Sequence, residues 1–317
     1  MTAIREIAIL DTGYASYDYE EALCRKHGFK LTIHQSRQGD HSGKFDTAAH
    51  AEGILVRDTP VGRAELDQMP SLKAIVRYGV GYDNVDVQEA KARSIRVANV
   101  QGYANHSVSD HAMALMFACT RDLQESKKAT FGKAGRPDMF EFHDKVLGII
   151  GIGRIGSQFA KKASPLFSKT YANDPYKSAA FSSNAGAELT SLSTLLENSH
   201  VISLHCNLSE ETRHMINRES IKQMSQRPVI INTARGAVIL EEDLMDALNN
   251  DLLHSAGLDV YEKEPPGEAQ ISLRNHPRVI ATNHLAWYSD YSILELQKRA
   301  ANNLISLLSG VKIEDEL

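Results

Sequence analysis

Short apolar runs alternate with stretches of helical spacing along most of the chain. Residues 4–10 read as a strand, 17–27 as a helix and 29–33 as a second strand. β-rich runs follow at 53–57, 73–76 and 96–98, with helix-compatible segments at 63–67 and 87–93 between them. Strands separated by helices imply a parallel sheet with right-handed crossovers, so roughly the first 100 residues form one α/β unit. Residues 105–122 then place Val108, Ala112, Leu115, Met116 and Cys119 at helical spacing, and the polar stretch 129–144 reads as a connection. A second alternation opens at Lys145, with strands expected at 146–150, 169–173, 200–204, 229–232, 255–259 and 279–282. In the last segment, 289–308, Ile293, Leu296, Ala300, Leu304 and Leu307 share one helical face.

Composition narrows the reading. A chain of 317 residues and 35.0 kDa suits two domains, and 42% hydrophobic with 24% charged residues excludes disorder and fibrous repeats. Thirty-five basic against 40 acidic side chains give a net charge of −5, with a pI near 6.2, so no global field draws the chain to nucleic acid or anionic lipid. The longest apolar stretch, 112–119, is far below the roughly 20 residues that cross a bilayer, and the start lacks a signal-peptide pattern. A cytoplasmic chain with neither a membrane nor a nucleic-acid partner is expected. Cys24, Cys119 and Cys206 are far apart and form no metal-ligand spacing, so buried thiols and no metal site are expected.

The run Lys145-Val-Leu-Gly-Ile-Ile-Gly-Ile-Gly-Arg-Ile-Gly156 sets an apolar strand against a glycine-rich turn, and a helix follows it. Gly151 permits the tight turn, Gly153 lets backbone amides approach a pyrophosphate, and Gly156 lets helix and strand pack closely. The amides of Arg154 and Ile155 should face the phosphates. Asp174 follows Gly156 by 18 positions, at the end of the next expected strand, where a carboxylate would accept from a ribose 2′-hydroxyl and repel a 2′-phosphate. NAD is therefore favoured over NADP.

Four further segments matter together: Asn232-Thr-Ala-Arg-Gly236, Gly257-Leu-Asp-Val-Tyr-Glu-Lys-Glu-Pro265, Thr282-Asn-His-Leu-Ala-Trp287 and Val76-Arg-Tyr-Gly-Val-Gly-Tyr-Asp-Asn-Val85. From Gly53 onward, with these motifs in the same order, the chain resembles the D-isomer-specific 2-hydroxyacid dehydrogenase family. The resemblance implies an NAD-dependent oxidoreductase that interconverts a 2-keto acid and a D-2-hydroxy acid. It also implies two Rossmann-like, doubly wound parallel-sheet α/β domains and a homodimer. The substrate domain would be discontinuous (1–100 and 285–317), with an NAD-binding domain (101–284) inserted and the active site in the cleft between them.

Reducing a 2-keto acid needs a hydride donor, a proton donor for the carbonyl oxygen and a cation for the carboxylate. By family match Arg235 would bind the substrate's carboxylate and carbonyl, for which a planar guanidinium fork is suited. His284 would be the acid in reduction and the base in oxidation, with Glu264 hydrogen-bonded to its ring. The turn at Gly79-Val80-Gly81 would meet the substrate carboxylate with its amides, so Val80 and Gly81 are substrate-binding candidates. Thr233 and Ala234 would lie along the nicotinamide, Asp259 would bond its carboxamide, and Ser107 would touch the cofactor or start a helix.

Within the family, Arg77, Asp174-Pro-Tyr176 and His284-Leu-Ala-Trp-Tyr-Ser289 look most like the branch of C-terminal binding proteins, with phosphoglycerate dehydrogenases close by. Arg77 and Trp287 would then line the substrate pocket, suiting an apolar or sulfur-containing side chain. Arg57 matches a phosphoglycerate dehydrogenase arginine and suggests instead a second anionic group. Glu264 stands where formate dehydrogenase has an amide. The connection 127–144 lacks the family's usual Trp, and Asn207 replaces a common Pro. The reading from a different class is an NAD(H)-sensing scaffold of the corepressor kind with vestigial activity.

Overall fold

The computed structural model describes residues 5–35, 42–133 and 138–317; Ile4 of the expected first strand and residues 134–137 of the expected connection lie outside the described residues. The chain divides into two compact units, Met1–Ala104 with Ser289–Leu317, and Asn105–Tyr288.

In the first unit, β1 (Arg5–Ile9), β2 (Phe29–Ile33), β3 (Gly53–Val56), β4 (Ala74–Arg77) and β5 (Arg96–Ala98) form a parallel sheet in the order β2-β1-β3-β4-β5. Central β3 is buried at every position, which is why it reads Gly-Ile-Leu-Val without a polar residue. Ile54, Val56, Ile75 and Val97 pack into one cluster with Leu66 and Met69. The helix Asp290–Leu308 also lies against β3 and β4. A Cβ at Gly53 would sit 3.0 Å from both Leu304 and Leu308, so glycine sets how closely this helix approaches. Beyond the helix, Arg96 holds the chain's end through the Glu316 carboxylate (2.8 and 2.6 Å) and the Leu307 carbonyl (2.9 Å).

The second unit holds β6 (Val146–Ile150), β7 (Lys169–Asn173), β8 (Glu188–Leu189), β9 (Val201–Leu204), β10 (Val229–Asn232), β11 (Ser255–Leu258) and β12 (Val279–Ala281). They form a parallel sheet in the order β12-β11-β10-β9-β6-β7-β8. Side chains alternate between two cores, as the period of two in a strand requires. Leu147, Ile149, Val229 and Ile231 join Ala112, Leu115, Met116 and Phe159 of the helices Asn105–Thr120 and Arg154–Ala163. Ile150, Ile202, Leu204 and Ile230 join Leu195, Leu196, Leu244 and Leu248 of the helices Leu192–Asn198 and Glu241–Asn249.

Four strands end one residue earlier than their apolar runs suggest: β1 stops before Leu10, β3 before Arg57, β11 before Asp259 and β12 before Thr282. In each case the next residue begins the loop at the strand's C-terminal edge. Strand order reverses between β1 and β3 in the first sheet and between β6 and β9 in the second. In open α/β sheets such switch points create the crevice where ligands bind, outside the carboxyl ends of the strands.

Candidate active site

At the switch point of the second sheet, β6 leads into the glycine turn. Gly151 has φ +86, and a Cβ there would lie 2.6 Å from the amide nitrogen of Cys206, just beyond β9. At Gly156 a Cβ would come within 2.0 Å of the Gly151 carbonyl oxygen, whereas at Gly153 it would meet no atom within 4 Å. The chain therefore needs Gly151 and Gly156 for its own packing, while Gly153 leaves the helix N-terminus at Arg154 and Ile155 approachable. Asp174 follows β7 and accepts the amide of Ile152 at 2.9 Å through Oδ2 and that of Tyr176 at 2.9 Å through Oδ1. Each oxygen retains acceptor capacity, so the carboxylate both fixes the turn and suits a sugar hydroxyl.

The catalytic candidates gather on the other half of this sheet. Arg235 follows β10, where Asn232 braces the turn by donating to the Arg235 carbonyl (3.0 Å) and accepting from the Ala234 amide (3.0 Å). Gly236 is indispensable there, since a Cβ would fall 1.8 Å from the Tyr261 carbonyl carbon. Thr233 Oγ1 is buried with no protein partner among the described residues. Glu264 Oε2 lies 2.6 Å from His284 Nδ1, and Glu264 Oε1 accepts the Tyr261 amide at 3.0 Å. Burial alone would raise the Glu264 carboxyl. The hydrogen bond and charge of His284, the Tyr261 amide and the nearby Arg235 guanidinium outweigh it, and hold the carboxyl below its ordinary value. An ionised carboxylate only accepts, so Nδ1 carries a proton and Nε2 is the atom left to exchange one with a ligand.

His284 has a left-handed backbone (φ +55), a conformation that persists only where the surroundings impose it. Its amide donates to the Asp259 carbonyl (2.7 Å). The fully buried Asp259 carboxylate accepts the amides of Leu285 (2.8 Å) and Ala286 (2.9 Å) and the Thr282 hydroxyl (2.5 Å). Ser107, near the start of the helix Asn105–Thr120, donates to the Ala286 carbonyl at 2.7 Å. Both residues expected to meet the cofactor thus brace the histidine's turn. Trp287 is half-buried, edge-on to Tyr288 with centroids 5.5 Å apart.

The switch point of the first sheet is lined by side chains. Asp11, after β1, accepts the amides of Arg57 (2.7 Å), Asp58 (3.1 Å) and Thr59 (3.2 Å), the Thr59 hydroxyl (2.6 Å) and the buried Lys44 ammonium (2.7 Å). Burial raises its carboxyl, but the bonds from Lys44, Thr59 and Arg57 prevail and pull it down to about 2. Arg57 bonds Asp58 at 2.8 Å, and its guanidinium lies where a Cβ on Gly13 would go, 2.4 Å from Nη1. Arg77 packs in the same way over Gly79, whose φ is +132. Val80 is 43% exposed, and its carbonyl accepts from Asn99 at 2.7 Å, which fixes the Val80–Gly81 turn.

Several residues escaped the sequence reading. Tyr14, whose buried hydroxyl has no protein partner among the described residues, feels the charges of both Arg57 and Arg77, and burial pushes its hydroxyl up. Two tyrosines close together after the first strand, Tyr14 and Tyr17, were the available signal. Lys44 left none, being a lysine on a five-residue helix. Cys206 is only half-buried, unlike Cys24 and Cys119, because it turns into the edge loop after β9. No group of three or more His, Cys, Asp or Glu among the described residues could hold a metal, and no described helix is long and apolar enough to cross a membrane.

A glycine turn at a switch point, a ribose-type carboxylate and a paired His–Glu beside an arginine define the class: a dinucleotide-dependent oxidoreductase of doubly wound α/β build. Residues 113–286 match the family described as D-isomer specific 2-hydroxyacid dehydrogenase, NAD binding domain. The chain is 40% identical over 264 residues to a hydroxypyruvate reductase of Thermotoga maritima, covering 80% of this chain and 82% of that one. It is 34% identical over 260 residues to a glyoxylate reductase of Korarchaeum cryptofilum, covering 79% and 77%. Its fold matches the D-lactate dehydrogenase of Aquifex aeolicus, solved with NAD and lactic acid, at a TM-score of 0.84, with 28% identity and 96% of each chain covered. The chain belongs to the D-isomer specific 2-hydroxyacid dehydrogenase family. It is an NAD-dependent oxidoreductase acting on 2-hydroxy acids, and the glycine turn, Asp174 and the unpartnered Thr233 hydroxyl fit that cofactor.

Proposed function

We propose that the enzyme reduces a short 2-oxo acid of the glyoxylate or hydroxypyruvate kind to the D-2-hydroxy acid, with His284 as proton donor. The observation that carries this reading is the 2.6 Å pair of His284 and Glu264 with the Arg235 charge beside it. NAD, when bound, supplies or takes up the hydride. Arg235 holds the substrate's carboxylate and carbonyl, orienting the carbonyl carbon and stabilising charge that develops on its oxygen. His284 Nε2 gives that oxygen its proton in reduction and takes it back in oxidation, while Glu264 keeps the ring in one orientation and offsets its charge.

On the cofactor side we assign Gly151, Gly153, Gly156 and the amides of Arg154 and Ile155 to the pyrophosphate, and Asp174 to the ribose. Thr233 and Ala234 go to the nicotinamide, with Asp259 and Ser107 beside it. On the substrate side, Arg57, Arg77, Trp287 and the Val80–Gly81 amides set which acids are accepted; the similarity to reductases of two small 2-oxo acids supports a short one. The domain roles follow: a substrate domain in the first unit and an NAD domain in the second.

NADH oxidation against a panel of 2-oxo acids tests the reading. Glyoxylate or hydroxypyruvate should be turned over, and His284→Ala should lower kcat by about 10²- to 10⁴-fold. Wild-type rates in His284→Ala and Arg235→Ala would sink the assignment. NADH-dependent capture of a protein partner without turnover across the panel would favour the sensing scaffold. A cytoplasmic homodimer completes the proposal; in solution it would have twice the 35.0 kDa mass of one chain.

A further inference from the structure

The turn that carries His284 is braced from a helix that supplies neither Arg235, Glu264 nor His284. His111 projects from the helix Asn105–Thr120, which lies over β10, β11 and β12. Its Nε2 is 3.0 Å from Thr282 Oγ1 and 3.6 Å from Asp259 Oδ1. The proton positions in this chain are determined by counting. Both Asp259 oxygens accept backbone amides, and the single hydroxyl proton of Thr282 goes to Asp259 Oδ1 at 2.5 Å. Thr282 Oγ1 then has only lone pairs to offer His111, so His111 Nε2 is the donor. The direction is fixed throughout: His111 N–H donates to the Thr282 hydroxyl, the Thr282 hydroxyl donates to the Asp259 carboxylate, and the same carboxylate accepts the amides of Leu285 and Ala286, the two residues that follow His284.

We infer that His111 and Thr282 are positioning residues that act through Asp259 to hold His284 in its left-handed backbone, with Nε2 aimed for proton transfer. The inference rests on the proton-donor role proposed above for His284. Glu264 fixes only the rotation of the ring. Where the ring sits is decided by the backbone of residues 282–286, and that backbone hangs on one buried carboxylate. Removing His111 leaves the Thr282 hydroxyl without its donor and Asp259 without a neighbouring imidazole, so the turn gains alternatives. Proton transfer tolerates little such play, because its rate depends on a narrow range of approach geometries. The effect should therefore fall on kcat and leave NADH binding nearly unchanged.

The test compares His111→Ala, His111→Gln, Thr282→Val and Thr282→Ser in NADH-dependent reduction of glyoxylate and hydroxypyruvate, with melting temperature measured alongside. Loss of one hydrogen bond in the chain should lower kcat by about tenfold in His111→Ala and in Thr282→Val, with KM for NADH within about twofold. His111→Gln, whose amide reaches Thr282 from the same helix position, and Thr282→Ser should recover to within about threefold of wild type. The double variant His111→Ala/Thr282→Val should be no slower than either single variant, because both cut the same chain. Wild-type kcat in the single variants, failure of both rescues, or a multiplicative double loss would overturn the inference while leaving the dehydrogenase reading intact. If the wild-type protein reduced no 2-oxo acid, the dehydrogenase reading would fail by itself. The positioning is then read from the His284 ring resonances of histidine-labelled protein, which should move in Thr282→Val and return in Thr282→Ser. Unmoved resonances would overturn it.

Discussion

The two switch-point crevices have the same parallel-strand logic and opposite linings. The first presents charge on side chains: Arg57 and Arg77, each laid over a glycine, with the Tyr14 hydroxyl between their fields. The second presents backbone: a glycine turn and the start of a ten-residue helix. Each is tied by an aspartate at a strand end, and these two residues differ in what remains of their bonding capacity. Asp11 receives five donors, more than the roughly four acceptor positions of a carboxylate, and is 4% exposed. Asp174 receives two amides among the described residues. A carboxylate saturated by its own chain holds shape, whereas one with lone pairs to spare can recognise a ligand. Asp259, with two amides, a hydroxyl and a nearby imidazole, stands close to the saturated kind.

Breaking the saturated clamp should have the largest effect. Lys44→Met leaves Asp11 as an uncompensated buried charge, and urea unfolding should register a loss of about 3–5 kcal/mol, with NADH affinity preserved. A loss under about 1 kcal/mol would mean that Asp11 needs no ammonium, contrary to the comparison. Asp174→Asn should do the reverse: unfolding free energy within about 1 kcal/mol of wild type, but NADH bound about tenfold more weakly and the preference over NADPH reduced. Unchanged cofactor selectivity would place Asp174 with the structural carboxylates.

The smallest effect is on acid stability, which falls with pH in both crevices but over different pH windows. His205, after β9, packs at a tilt against Phe159 with its Nδ1 sealed from water, and burial pushes its imidazole down to about 3. The unfolded chain takes up this proton near pH 6.5 and the folded chain does not, so stability present above pH 6.5 drains away as the pH falls toward 3. The lowered Asp11 behaves otherwise: its contribution is complete above the ordinary value of 3.8 and is lost only as pH falls through about 2. Hydrogen exchange at pH 4 to 5 should therefore show the second unit opening before the first, and His205→Phe should narrow the gap. Earlier opening of the first unit would refute the ordering.

The fold was legible because strands buried on both faces must be almost wholly apolar, as in Gly-Ile-Leu-Val of β3 and Val-Ile-Ile of β10 ahead of its terminal Asn232. The two-residue β8 was not, since two residues carry no period. The glycine turn was legible because close backbone approach leaves glycine as the only choice at Gly151 and Gly156. What the pattern could not give is which polar atoms meet across long separations. Asp11 and Lys44 are 33 positions apart, and His111 and Thr282 are 171 apart. His111 occupies a helix whose neighbouring residues Ala112, Leu115 and Met116 are core, so spacing alone reads it as a polar interruption. Asp259 reads as a cofactor residue because its position matches one; that it also braces a turn could not be read, since the turn exists only once β11 and β12 are side by side.

The helix Asp290–Leu308, seated on β3 and β4 against the small Gly53, sets the order in which the units can fold during synthesis. As the ribosome extrudes the polypeptide, the five strands of the opening sheet emerge long before the segment that shields one of their faces. The interposed unit, contiguous from Asn105 to Tyr288, can complete itself first. The opening sheet must wait for the closing stretch, with apolar surface uncovered for most of translation. A nascent chain stalled before Ser289 would consequently be a client for chaperones, even with its nucleotide half already native.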